Sequence, residues 1–288
     1  MPLDYDRLLN LAPMETVHDV TPRDVMLYAL SVGVGADDPN DPGELQYVYE
    51  DGLAVLPTMA VVIAYPGFWA KDPKYGLTWR QLLHGEQSIE IHEPLPIRGR
   101  FRGLTKIDEI YDKGRDKGAL LLSSRRIYLE SGSHPVATVR QSVFLRADGG
   151  FGGKAQGAPK PHPMPADPPD LRVQTRSPVN QALIYRLNGD SNPLHIDSRV
   201  AAEAGFHRPI LHGLAVYGLV GRALIKVLCN DRPERLRRMD VRFTAPVYPG
   251  ETFEIDVWRQ GSDRASFRVR LVERGLVAQQ NGYVEFRD

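Results

Sequence analysis

Asp190 and His195 stand five positions apart in the run Asn188-Gly189-Asp190-Ser191-Asn192-Pro193-Leu194-His195. Gly189 and Pro193 punctuate that run and constrain its path, because glycine opens left-handed conformations and proline fixes φ. A loop bent in this way lets a carboxylate and an imidazole face one point, the geometry a proton-transfer pair needs. Histidine titrates near neutrality, and a half-buried aspartate can be tuned by its surroundings. Further on, Arg208-Pro209-Ile210-Leu211-His212-Gly213-Leu214 leads into a long apolar stretch opened by Gly213. The first N–H groups of a helix are unpaired and lie at the positive end of its dipole. An acid/base pair followed by such a donor suits addition or removal of water beside a thioester carbonyl, whose oxygen gains negative charge as the reaction proceeds. In isolation, an aspartate and a histidine at this spacing most often form an Asx-turn and an ordinary loop histidine.

These residues need elements to hold them. Thr21-Pro22-Arg23-Asp24 has the cap, the first-turn proline and the early acid of a helix start, and a helix is expected to about Val32. Residues 57–64 are a compact apolar run, read as a buried segment, and Leu82-Leu83-His84-Gly85 reads as the end of a short helix or turn. Strand patterns follow over 86–92, 101–111, 119–129 and 136–145. Residues 149–178 hold Gly149, Gly150, Gly152, Gly153 and Gly157, then prolines at 159, 161, 163, 165, 168 and 169. That density of breakers predicts an inter-domain linker with no packed element. From 179 onward the pattern gives a short helix over 198–204, a longer one over 213–229, and strands over 239–244, 252–259, 265–273 and 276–286. The longer helix is apolar on most faces and must be enclosed. The fold class is therefore α+β, a double hotdog in which two antiparallel sheets each curl around a helix. The long central helix is clear only in the second half. The expected domains are an N-terminal hotdog over 1–148, the linker over 149–178 and a C-terminal catalytic hotdog over 179–288.

Of the 288 residues, Lys+Arg and Asp+Glu each number 36, and the balance argues against nucleic acid or an anionic membrane as main partner. No apolar run is long enough to span a membrane. Cys229 is the only cysteine, so neither an internal disulfide nor a cysteine zinc site is expected, and a reducing compartment is the natural reading. Met1-Pro2-Leu3-Asp4-Tyr5-Asp6 does not read as a secretory signal, and Glu285-Phe286-Arg287-Asp288 is not a Ser-Lys-Leu address. A cytoplasmic location is expected on these grounds. His18, His92, His134 and His162 lack metal-ligand spacing, and no G-K-[ST] follows Gly149-Gly153. No metal and no cofactor are expected.

The whole run from Tyr185 to His195, with Asp197 after it, resembles the signature of the MaoC-like enoyl-CoA hydratases, also called hydratase 2. Gly205-Phe206 and Arg208 to Leu214 continue the likeness. In the first half, Leu83-His84-Gly85-Glu86-Gln87, Pro94-Leu95-Pro96, Asp112-Lys113-Gly114 and Gly149-Gly150-Phe151-Gly152-Gly153-Lys154 look like landmarks of the long, two-hotdog members. The likeness runs from roughly residue 50 to the end. The extra Arg115-Asp116-Lys117 departs from it, as does Asn188, where Ser is the more usual residue. The resemblance implies hydration of trans-2-enoyl-CoA to (3R)-3-hydroxyacyl-CoA, with coenzyme A as part of the substrate. It implies Asp190 and His195 as the acid/base pair, with their individual roles open, Asn192 orienting Asp190 or the water through its amide, and the Gly213 N–H as oxyanion donor. It also implies contacts to acyl-CoA from His84, Gly85, Lys113, Ser191, Pro193, Leu194 and Phe243, and a homodimer. Three alternatives stay beside this reading: a (3R)-hydroxyacyl-ACP dehydratase of fatty-acid synthesis, a dehydratase of a short branched hydroxyacyl-CoA in a carboxylic-acid assimilation path, and a non-catalytic acyl-CoA-binding hotdog protein.

Overall fold

A computed structural model describes residues 3–287. Met1, Pro2 and Asp288, the outer ends of the two expected hotdogs, lie outside the described residues. Among the described residues ten strands form: β1 (Met14–Val20), β2 (Leu82–Ile91), β3 (Gly99–Asp112), β4 (Ala119–Leu129), β5 (Ala137–Leu145), β6 (Leu171–Arg176), β7 (Leu236–Phe243), β8 (Thr252–Arg259), β9 (Arg264–Leu271) and β10 (Leu276–Phe286). They join in the order β1-β3-β4-β5-β2-β7-β10-β9-β8-β6. Each half supplies five strands. The halves meet where β2 pairs antiparallel with β7, from Glu86 opposite Arg242 to Glu90 opposite Arg238. The two expected sheets are thus one continuous sheet of two curled halves.

In the second half the sheet wraps the helix Gly213–Cys229. Thirteen of its seventeen residues are buried, as a helix apolar on nearly every face requires. Gly218 and Gly221 let other chain segments press against it. A Cβ at Gly218 would stand 2.4 Å from Val32, and one at Gly221 2.5 Å from Thr58. Val32 caps the helix Pro22–Ser31, and Thr58 lies in the 3-10 turn Pro57–Val61, so both halves share the core around the central helix. That turn is fully buried and contacts β2 and β5, filling the place a long helix takes in the second half. It is short because Pro57 opens it and the left-handed Ala64, followed by Tyr65-Pro66, closes the segment.

Two further expectations change. Leu82 to Gly85 is the beginning of β2, not the end of a helix; the helical turn before it is Trp79–Gln81. Gly85 reads as a turn signal because it forms a bulge: His84 faces Val143 of β5 while Glu86 faces the next residue back, Ser142. The stretch 149–178 is also more ordered than a linker. Gly150 and Gly152 N–H groups bind the Asp112 carboxylate at 2.8 and 2.7 Å, and Trp258 donates to the Asp167 carbonyl at 2.7 Å. Its last part is β6, which pairs with β8 and is fastened by Arg172 on the buried Asp256 at 3.0 Å. Alternating Leu171, Val173 and Thr175 carry that edge strand, a pattern outweighed in sequence by the prolines before it.

Candidate active site

The loop 185–197 leaves the short helix Gln181–Tyr185 and turns at Gly189, whose φ of +106° favours glycine. Asn188 anchors it to the first half by donating to the Ser31 hydroxyl at 2.9 Å. Asp190 accepts the Asn192 main-chain N–H at 3.2 Å, and the Asn192 side-chain oxygen accepts the Leu194 N–H at 3.2 Å, capping the 3-10 turn Pro193–His195. Asn192 therefore orients Asp190 through its backbone, while its amide oxygen shapes the turn that aims His195.

His195 is 9 % exposed. Its Nδ1 lies 2.9 Å from the Ile210 carbonyl. A carbonyl can only accept, so Nδ1 carries the hydrogen and Nε2 keeps its lone pair. Burial lowers the His195 pKa below the ordinary 6.5, against the opposing pull of Asp190 and the Ile210 bond. The ring is thus a neutral base at neutral pH. His212 stacks on it, with centroids 3.7 Å apart and planes at 29°. His212 Nε2 donates to the Asp190 carbonyl at 3.4 Å, and its buried Nδ1 has no partner. Burial and then His195 lower the His212 pKa, so it too stays neutral. Sequence reading gave His212 no role. Its signal was its place before Gly213.

Asp190, His195 and His212 each bring a ligand atom within 4.8 Å of the others. They are the group among the described residues that could hold a metal. The hydrogen bonds of His195 Nδ1 to the Ile210 carbonyl and of His212 Nε2 to the Asp190 carbonyl leave one free ring nitrogen on each histidine.

Gly213 begins the central helix beside this cluster. The first intrahelical bond runs from Ala215 N–H to the His212 carbonyl at 3.0 Å, so the Gly213 N–H has no acceptor within the helix. Phe243, at the end of β7, packs beside Gly213 and meets the His84 ring edge-on with centroids 4.9 Å apart. The Gly85 bulge turns His84 to this position; His84 Nε2 donates to the Glu86 carbonyl at 3.1 Å, and burial pushes its pKa down to about 4.

A cavity of about 480 Å³ joins these groups. Asp190, Ser191, Asn192, Leu194, His195, Gly213, His84 and Phe243 all line it. Gly85 acts from behind as the bulge, and Pro193 acts as the start of the 3-10 turn; neither is on the wall. Lys113 is not at the cavity either: its Nζ donates to the Ala155 carbonyl at 2.9 Å and lies 5.3 Å from the Tyr111 ring, so the expected contact to acyl-CoA has no geometric support. The wall also includes Tyr65, Trp69 and Arg125 from the first half, which sequence reading passed over because no motif marks them.

Comparison with known proteins agrees with this architecture. Residues 160–281 match the MaoC like domain and residues 18–147 the MFE-2 hydratase 2 N-terminal domain. The 3-hydroxyacyl-thioester dehydratase Y of Mycobacterium tuberculosis is 40% identical over 92% of each chain. The peroxisomal enoyl-CoA hydratase 2 of Arabidopsis thaliana is 36% identical, over 98% of this chain and 95% of its own. The chain matches the mouse peroxisomal multifunctional enzyme type 2 at 36% identity but spans only 35% of its length. A crystal structure of a MaoC-like dehydratase from Phytophthora capsici superposes with a TM-score of 0.86 at 33% identity, covering 98% of both chains. The chain belongs to the MaoC-like dehydratase family, a family of hydro-lyases, in its two-domain hydratase 2 form.

Proposed function

We propose that this protein catalyses the reversible hydration of trans-2-enoyl-CoA to (3R)-3-hydroxyacyl-CoA without a metal or other cofactor. The observation that carries the reading is the Nδ1–H of His195 on the Ile210 carbonyl, which leaves Nε2 as a lone pair in the cavity beside Asp190. Water held between His195 Nε2 and the Asp190 carboxylate loses a proton to Nε2 as its oxygen bonds to C3. The thioester oxygen takes up the resulting charge, opposite the Gly213 N–H and the helix dipole. The proton on His195 is then delivered to C2, so one water supplies both the hydroxyl and the new C–H. Asp190 steadies the transient imidazolium and orients the water. The (3R) outcome follows the family resemblance. The N-terminal half supplies no second acid/base loop and serves the acyl chain, in keeping with its share of the cavity wall.

The test is ultraviolet-monitored hydration of trans-2-enoyl-CoAs from C4 to C16 by wild type, Asp190→Asn and His195→Gln. Loss of enoyl absorbance in wild type alone, with circular dichroism unchanged, supports the reading. Failure on every CoA substrate refutes it and turns attention to acyl-carrier-protein substrates. Activity only at C4 refutes the acyl role of the first half. Chelation is expected to leave the rate unchanged. No helix among the described residues is long and apolar enough to cross a membrane. A cytoplasmic location and a homodimer complete the proposal, checked by cell fractionation and light scattering.

A further inference from the structure

The inward face of the N-terminal half-sheet has a polar belt between two apolar clusters. Phe101, Ile127 and Val139 belong to one cluster, Ile107, Leu121 and Val143 to the other. Between them lie Thr105, Ser123 and Arg125. Thr105 sits directly across from Arg125 in the β3–β4 pairing, and Ser123 lies two residues earlier on the same face of β4. All three line the cavity that holds Asp190 and His195.

These groups are buried but unsatisfied. Thr105 is 4 %, Ser123 2 % and Arg125 5 % exposed. Thr105 Oγ1, Ser123 Oγ and Arg125 Nε have no hydrogen-bond partner. Arg125 Nη2 donates to the carbonyls of Ala60 and Val61 at 3.1 and 2.7 Å, which holds the guanidinium in place. Its neighbour is the uncharged Tyr65 ring, 5.4 Å away. Among the described residues no carboxylate pairs with it, although burial, which lowers its pKa to about 10, leaves it cationic at neutral pH. A buried cation without a counter-charge is costly, and so is each buried unpaired polar atom. An apolar acyl chain would leave all of these costs in place.

Resting on the hydratase reading above, we infer that the enoyl chain this protein prefers ends in a carboxylate, held by Arg125 with Thr105 and Ser123. Such a substrate is a dicarboxylic acid carried as its monothioester. The carboxylate accepts from the guanidinium and the two hydroxyls, and supplies the missing negative charge.

The test compares chains of equal length, C8 to C12, ending in methyl, carboxylate or carboxylate methyl ester. Binding of the saturated acyl-CoAs is measured by titration calorimetry, and turnover of the trans-2-enoyl-CoAs by absorbance. Wild type should bind the carboxylate-ended chain about 10- to 100-fold more tightly than either neutral chain at one or more lengths, the range of a hydrogen bond to a charged group. Arg125→Met should erase that ratio. The three wild-type ligands decide the matter even if this variant fails to fold. Equal or weaker binding of the carboxylate-ended chain at every length overturns the inference, while turnover of the methyl-ended chain still upholds the hydratase reading. Tight carboxylate binding without turnover of any chain upholds the belt and refutes the chemistry.

Discussion

Replacing Gly213 by alanine separates the oxyanion role of this residue from a packing role. A Cβ built at Gly213 would lie 3.5 to 3.7 Å from the Phe243 ring, ordinary contact distances, and the residue has helical backbone. Nothing in the fold resists the methyl group. Alanine also restricts the unfolded chain, so stability should stay level or rise by about 0.4–1 kcal/mol. For a chain of this size that is a melting shift of roughly 1–4 °C upward. The methyl group nevertheless occupies the exposed helix start where the thioester oxygen must approach. Displacing that oxygen from the N–H should cost about 10²–10³ in kcat, as loss of one oxyanion donor does. The assay is enoyl-CoA hydration beside a thermal melt of the same preparation. A Gly213→Ala protein within threefold of wild-type kcat would refute the oxyanion assignment and leave Gly213 as a tight helix entry.

The remaining predictions concern the base, its pH dependence and the core. His195→Gln keeps a donor for Ile210 but has no titratable nitrogen, so kcat should fall by about 10²–10⁴ with the circular dichroism spectrum retained. Asp190→Asn keeps an acceptor for the Asn192 N–H and should likewise lose activity without unfolding; wild-type activity in either variant would exclude that residue from the chemistry. The pH profile of kcat/KM follows from the base being neutral. Because burial lowers the His195 pKa, activity should persist below pH 6.5 and fall only as the pH drops through that lowered value. An acid limb above 6.5 would contradict this. In the core, Arg222 pairs with Glu44 and reaches Thr175 at 3.1 Å. Arg222→Met strands the Glu44 charge and should cost about 3–5 kcal/mol in urea unfolding; a loss under 1 kcal/mol would show that the pair is dispensable.

The loop 185–197 and the central helix were legible because their signals are local. Glycine, proline and cap chemistry specify a path within a few residues, and the helix Gly213–Cys229 has the expected bounds. Strands β4, β8 and β10 also have the expected bounds, since long alternating runs between turns leave little freedom. What escaped was set by distant partners. β1 has a half-exposed pattern with little apolar contrast and becomes a strand by pairing with β3. The bulge at Gly85 exists only relative to β5. Arg125 reads in sequence as half of a surface-like Arg125-Arg126 pair. Only the inward phase of β4 buries it, alternating with the exposed Arg126. Lys113 lies away from the cavity for the complementary reason: the turn that carries it closes on the segment at Ala155.

The seam between β2 and β7 also governs how the reaction vessel is assembled. Part of the cavity wall comes from the first half and part from the second, so two separate chains would have to associate before the cavity existed. Covalent connection turns that encounter into an intramolecular one, with an effective concentration that for short tethers reaches the millimolar range. The wall contributed by Tyr65, Trp69 and Arg125 therefore stays with the wall from the second half however dilute the protein becomes. It also frees the two halves from being copies of one another, since a residue changed in one wall is not repeated in the other.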